Sequence, residues 1–237
     1  MAKNLVLICG TSASGKSASL MGLTGGVMYL NCESGKALPF ANKFQEHVIT
    51  DPYQVYEGFE YAETDDSIDT IVIDSSTFLM DMFESVYVIG SANTMQGWQD
   101  YQQFFKNLMQ QYVAKSTKNV IFTAHVLVEY NEDSMANEVK VPVKGALKNN
   151  GIEAFFSVVI AAKRMETKKL DGYDNPRLVI TEDEEDLGFK YVYQTRLTKQ
   201  TMNERVRGPM GMFSRKESFM DNNAQKLIEH LEEYYAE

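Results

Sequence analysis

A chain of 237 residues with a net charge of −10 and 44% apolar residues has the composition of a soluble globular protein, and its length suits one α/β domain with decorations. No apolar run approaches the ~20 residues of a membrane-crossing helix, which excludes a helical membrane protein. Two cysteines, Cys9 and Cys32, exclude a disulfide scaffold and point to a reducing, cytoplasmic setting.

The first apolar run, Leu5 to Ile8, starts so early that neither a signal peptide nor a preceding domain is expected. It reads as a buried strand and leads into Gly10-Thr11-Ser12-Ala13-Ser14-Gly15-Lys16-Ser17, which matches G-x-x-x-x-G-K-[ST] without departure. A helix is expected from Ser17 to about Leu23, a strand over Val27 to Asn31, and a helix over 52–63 with Val55, Phe59 and Ala62 at helical spacing. Asp65 to Ser67 is a loop, Thr70 to Asp74 a third buried strand, and Ser76 to Val88 a helix. The stretch 89–97 has loop composition, Trp98 to Lys115 reads as a long amphipathic helix, and Asn119 to His125 as a fourth strand.

Beyond it the pattern changes. Val126 to Tyr130 and Glu138 to Val143 flank a polar tip, Asn131 to Asn137, so 127–149 reads as a protruding loop or hairpin. A short helix is expected from Ala146 to Ala154 and a fifth strand from Phe155 to Arg164. A second hairpin is expected over 177–197, with the acidic run Glu182 to Asp186 as its solvated turn, and a C-terminal helix over 225–235. Without internal repeats or low-complexity linkers, residues 1–237 read as one domain. Both cysteines fall near strand ends and read as small buried residues. Charge is uneven: 140–216 holds 15 of the 23 Lys/Arg and 10 of the 33 Asp/Glu, a net +5 that leaves −15 on the rest. That basic segment reads either as an electrostatic track or as a solvated face.

The glycine-bounded loop between strand and helix presents backbone N–H groups to an anion, as ATP binding requires. Gly10 and Gly15 let the chain turn tightly around phosphate, with Thr11, Ser12, Ala13 and Ser14 between them. Lys16 supplies charge for the β- and γ-phosphates, and the Ser17 hydroxyl is placed to ligate Mg²⁺. Asp74, ending a buried strand, suits the Mg²⁺ shell, partly through water. It is followed by Ser75 and not by a glutamate, so the candidate base for the attacking water is Glu33, just past the second strand.

This arrangement resembles the RecA superfamily. There the catalytic glutamate follows the second strand, Ser often follows the metal-binding aspartate, and a polar residue ends the next strand to sense the γ-phosphate. Asn31-Cys32-Glu33, Ile73-Asp74-Ser75 and Thr123-Ala124-His125 fill those places in order. The resemblance implies a RecA-like P-loop NTPase core, mostly parallel sheet flanked by helices, with a late antiparallel hairpin, and it makes His125 the sensor. Gly97-Trp98-Gln99-Asp100-Tyr101 and the small size look like the short bacteriophage RecA-like ATPases linked with single-strand annealing and recombination. It further implies a DNA-stimulated ATPase acting as a head-to-tail homo-oligomer on single-stranded DNA. DNA loops then lie at about 88–97 and 127–149, with Tyr130, Lys140, Lys144 and Lys148 as contacts. The residue acting in trans on a neighbour's nucleotide is Arg196 in Gln194-Thr195-Arg196, with Lys199, Arg205 and Arg207 in reserve. A replication-associated motor or loader with a protein partner, and a small-molecule or nucleoside kinase, are the alternatives.

Overall fold

The computed structural model describes residues 3–132 and 135–236; residues 133 and 134, within the expected hairpin tip, lie outside them. Eight strands form one sheet: β1 (Leu5–Gly10), β2 (Val27–Asn31), β3 (Gln45–Val48), β4 (Thr70–Asp74), β5 (Asn119–His125), β8 (Val158–Glu166), β9 (Phe189–Gln194) and β10 (Phe219–Asp221). Their spatial order is β10-β9-β8-β1-β5-β4-β2-β3. From β8 to β3 every pairing is parallel, while β9 runs antiparallel to both β8 and β10. The two remaining strands, β6 (Leu127–Asn131) and β7 (Ala136–Lys140), make a separate antiparallel hairpin. This is the α/β P-loop NTPase architecture.

The central strands are apolar throughout because helices cover both faces. Leu7, Leu30, Ile73 and Phe122 pack with Phe59 of α1 (Gln54–Thr64), Phe83 of α2 (Ser76–Phe83) and Phe104 of α3 (Thr94–Asn107). Their strand neighbours Val6, Ile8, Val72 and Ile121 face the other way, onto Leu20 and onto Leu227, Ile228 and Leu231 of the C-terminal helix α6 (Ala224–Ala236). Cys9 and Cys32 are buried and unpaired, and burial pushes both thiols up in pKa. Among the described residues no helix is long and apolar enough to cross a membrane.

Several elements differ from the sequence expectation. The helix after the phosphate loop is a single 3-10 turn, Ala18–Gly22, because Gly22 and the pair Gly25-Gly26 stop it before a second turn forms. The expected loop 89–97 shrinks: π-helical Glu84–Ile89 extends α2, and α3 already starts at Thr94, capped by Asn93 whose side chain accepts from the Gln96 N–H. Gly97 lies inside α3, where a Cβ would meet the Tyr87 carbonyl at 3.0 Å. Gly151, with φ +71°, divides the 146–154 helix into α4 (Leu147–Asn150) and a 3-10 turn, Ile152–Phe155.

The 177–197 hairpin does not form. Both sides of β9 are taken by β8 and β10, so 177–181 has no strand to pair with. The acidic run is not a turn but a helix, α5 (Glu182–Leu187), started by a capping box between Thr181 and Glu184. The late antiparallel pair is β8–β9 instead. Edge strands β3 and β10 are additional; at four and three residues they carry too little periodicity to be read from sequence.

At the foot of β2, a Cβ on Gly26 would stand 1.7 Å from the Ser67 carbonyl oxygen. Gly26→Ala is therefore expected to destabilise the fold by about 1–3 kcal/mol, read as a lowered urea midpoint with unchanged slope.

Candidate active site

Four adjacent parallel strands, β1, β5, β4 and β2, present their C-terminal ends side by side. They bring the phosphate loop, His125, Asp74 and Glu33 around one cleft of about 330 Å³. A crevice beyond the carboxyl ends of a parallel sheet is where this architecture binds ligands.

The loop turns through left-handed φ at Ala13 (58°) and Gly15 (91°). Glycine is required at position 10 because a Cβ would lie 2.2 Å from Ser14 Oγ and 2.7 Å from the Ala162 carbonyl oxygen. Asn222 Nδ2 donates to the Gly15 carbonyl at 2.9 Å, tying the loop to the end of β10. Lys16 is 6% exposed, and its Nζ donates to the carbonyls of Gly10 at 3.0 Å and Thr11 at 2.8 Å. Burial lowers its pKa, while Asp74 and Glu33 favour the charged form. An ammonium has three donors, so one remains for an anion. Ser14 Oγ is buried with no partner among the described residues. An orphaned hydroxyl, a spare ammonium proton and a loop that only glycine permits fit a triphosphate.

Asp74, 1% exposed, ends β4 and continues through a cis peptide to Ser75. Its Oδ2 accepts from Tyr29 OH at 2.9 Å and its Oδ1 from Thr123 Oγ1. Tyr29 and Thr123 belong to the flanking strands β2 and β5, so the carboxylate is gripped from both sides. Each oxygen keeps a lone pair, and with Ser17 on the same cleft the donors are hard oxygens of the kind Mg²⁺ selects.

Glu33 is oriented by Asn31, whose Oδ1 accepts from the Glu33 N–H at 3.0 Å while Nδ2 donates to Glu46 Oε1 at 2.7 Å and to the Lys36 carbonyl at 3.0 Å. The chain then reverses through Ser34 (φ 57°) and Gly35 (φ 75°). His125 Nε2 lies 3.5 Å from Glu33 Oε1, a long contact with no closer acceptor, and Lys36 Nζ donates to Oε2 at 3.0 Å. The imidazole first, and the Lys36 ammonium after it, hold the Glu33 carboxyl down at about 2 against the opposing effect of burial. His125 is itself fixed by its backbone N–H, which donates to Thr77 Oγ1 at 2.9 Å, and by an edge-on contact of its ring with Phe78.

The trans candidates lie elsewhere. Arg196 is exposed, does not line the cleft, and donates to the Phe213 carbonyl at 3.1 Å. Arg205 pairs with Glu153, Arg207 caps the carbonyls of Glu153, Ala154 and Phe156, and Lys199 is exposed. Of the DNA candidates, Tyr130 is 61% exposed on the hairpin. Lys140 is paired with Glu129 at 2.6 Å and Lys144 with Glu84 at 2.5 Å, whereas Lys148 is exposed without a carboxylate partner among the described residues.

Sequence reading missed Tyr29, Thr123, Lys36 and Tyr191 as site residues. Tyr191 lies against the loop, with ring carbon Cδ1 3.0 Å from where a Gly15 Cβ would stand, and it borders the cleft from β9. The available signal was polarity inside apolar strands: Tyr29 two residues before Asn31, and Thr123 two before His125.

Residues 2–197 match the family model described as an AAA domain. The chain belongs to this AAA-domain family. No curated protein matches it. A P-loop ATPase-type domain thus covers nearly the whole chain, and ATP with Mg²⁺ is what such AAA domains generally use. Within the AAA-domain chain, the base candidate stands after β2 and not directly after the Asp74 of β4.

The depressed Glu33 value has a checkable cause. A carboxyl lowered on folding stabilises the fold above the ordinary carboxylate range, and that stabilisation is lost as pH falls through about 2. His125→Ala should move the Glu33 titration, followed by carboxylate NMR, up towards the ordinary 4.5. Lys36→Ala should move it less, because the Lys36 side chain is 72% exposed and solvent screens it.

Proposed function

We propose that this chain is a RecA-like ATPase that binds and hydrolyses ATP with Mg²⁺ and works as a head-to-tail homo-oligomer on single-stranded DNA, in phage recombination or annealing in the host cytoplasm. The observation that carries the ATPase reading is the convergence of Lys16, Asp74, Glu33 and His125 on one cleft, from the ends of four neighbouring strands.

In this reading the phosphate loop binds the triphosphate, with Lys16 turning from the Gly10 and Thr11 carbonyls to the β- and γ-phosphates. Ser17 and Asp74 hold Mg²⁺, which supplies charge neutralisation at the transferring phosphoryl group. Glu33 orients the attacking water and accepts its proton. With both His125 and Lys36 on it, Glu33 is too acidic to be an effective base. Lys36 is exposed and borders the same cleft, so a shift of its ammonium from Glu33 to the γ-phosphate would strengthen the base and neutralise phosphate charge together. His125, still beside Glu33, reports whether that phosphate is present.

No arginine among the described residues lines the cleft. The charge that develops in phosphoryl transfer is therefore left for a neighbour to complete, which supports oligomeric action. Arg196, exposed and held among the described residues by the Phe213 backbone carbonyl, is the proposed donor. A second reading, a motor or loader with a protein partner, is favoured by one observation: the hairpin exposes Val128, Tyr130 and Met135 while Lys140 is tied to a carboxylate.

Lys16→Ala is expected to abolish ATP turnover with the fold intact, and Glu33→Gln to bind ATP normally and hydrolyse it roughly 10²-fold more slowly. Full turnover in Glu33→Gln would move the base elsewhere. Mixing tests the shared site: Lys16→Ala subunits still carry Arg196, so adding them to inactive Arg196→Ala subunits should restore activity. A specific rate unchanged at every dilution of a monomeric wild type would refute it.

A further inference from the structure

The basic stretch 140–216 finds a place in the fold that the hairpin does not account for. Beside the β8–β9 ribbon lies a groove of about 1040 Å³, lined also by Tyr173 and by Thr198, Gln200 and Thr201. Three cations line it, Lys163, Arg164 and Lys169, against one carboxylate, Glu166. Glu166 is tied to Lys169 at 2.8 Å, and Lys163 to Glu204 at 2.5 Å. Arg164 has no carboxylate partner among the described residues; its guanidinium sits 5.4 Å over the Phe189 ring. Lys168 and Lys199, each next in sequence to a lining residue, are exposed.

The interior differs from the rim. Tyr173 meets Phe219 edge to face at 4.8 Å on one wall. Gln194, which is 0% exposed, also lines the groove. Its Nε2 donates to the Arg196 carbonyl at 2.7 Å and to Thr201 Oγ1 at 2.6 Å, which leaves Oε1 buried without a donor. A buried acceptor left unmet among the described residues costs stability, and because Oε1 has almost no exposed surface the amide must turn toward the groove before a ligand N–H can meet it.

Cations outside, with aromatic rings and an unmet acceptor inside, complement a chain that is anionic along its backbone and carries flat N–H-bearing groups. We propose that this groove, and not the hairpin lysines, holds single-stranded DNA, with phosphates on Arg164 and Lys169 and a base directed to Gln194 Oε1 and the aromatic wall. Every nucleobase can offer an N–H, from an amino group or a ring nitrogen, so the contact is tolerant of sequence, as stacking platforms are. This rests on the single-stranded DNA reading above and specifies its site.

The test is fluorescence anisotropy with a labelled mixed-sequence strand of about 30 nucleotides, over a series of salt concentrations. Arg164→Ala and Lys169→Glu are expected to weaken binding and to flatten the salt dependence, each lost phosphate contact lowering the slope by about one. Tyr173→Ala, on the aromatic wall, should weaken binding roughly fivefold or more with the slope unchanged. Lys148→Ala should match wild type. Lys169 is an exposed side chain, so its variant keeps the test valid if another variant misfolds; each variant's thermal midpoint is measured alongside. Wild-type affinity and slope in Arg164→Ala and Lys169→Glu, with binding lost in Lys148→Ala, would overturn the groove and leave the DNA reading standing. No binding by the wild type would overturn both.

Discussion

A carboxylate is held almost entirely out of water at the C-terminal edge of the sheet, and much of the site follows from what that requires. A buried charge must be paired and hydrogen-bonded to persist. Asp74 meets the condition with Tyr29 from one neighbouring strand, Thr123 from the other, and the Lys16 side chain across the cleft, whose charged form Asp74 favours. The first two contacts exist only if β4 lies between β2 and β5, so strand order and site chemistry are one constraint. Removing either hydroxyl would leave the carboxylate oxygen with one donor fewer in a place where solvent cannot replace it.

The cleft is poised in a state unlike the one in which it would act. Lys16 is turned onto its own loop's carbonyls, and Glu33 is clamped by two cationic or protonatable partners. Both arrangements satisfy buried polar groups internally. Both also hold in reserve the groups that a triphosphate demands, an ammonium for the phosphates and a carboxylate free to take a proton. In the proposed mechanism substrate charge is the trigger, since an incoming anion would compete for Lys16 and Lys36 at once. The same electrostatics would then keep Glu33 from acting as a base before the phosphate arrives.

Charge placement also separates the two candidate contact surfaces. On the hairpin, Lys140 faces Glu129 across the strands' ends, and apolar side chains stand exposed. On the β8–β9 ribbon, Arg164 is left over an aromatic ring and the carboxylates nearby are outnumbered. Under the proposed reading a polyanion would be attracted by the second and gain little from the first, whose exposed apolar side chains would suit another protein.

Much was legible in the chain itself. The phosphate loop, with Gly10, Gly15, Lys16 and Ser17, declares itself because its function depends on local backbone geometry and consecutive residues. The buried parallel strands declare themselves because helices on both faces leave no room for polar alternation. Asp74, Glu33 and His125 were placed by their order relative to those strands. The residues that surround the site were not: Tyr29, Thr123 and Tyr191 act through contacts between distant positions, up to the 176 that separate Gly15 from Tyr191, which no local pattern encodes, whereas Lys36 meets Glu33 only three residues away. The late hairpin was misread for the same reason. Residues 177–181 and β9 look like a local pair, yet long-range pairing with β8 and β10 saturates β9 and leaves the acidic run to form a capped helix. Local propensity and spacing thus determined the loop and the strands. Which side chains surround the buried carboxylate, and where the basic segment opens to solvent, were decided by strand order, because only the folded sheet brings those distant groups within hydrogen-bonding reach.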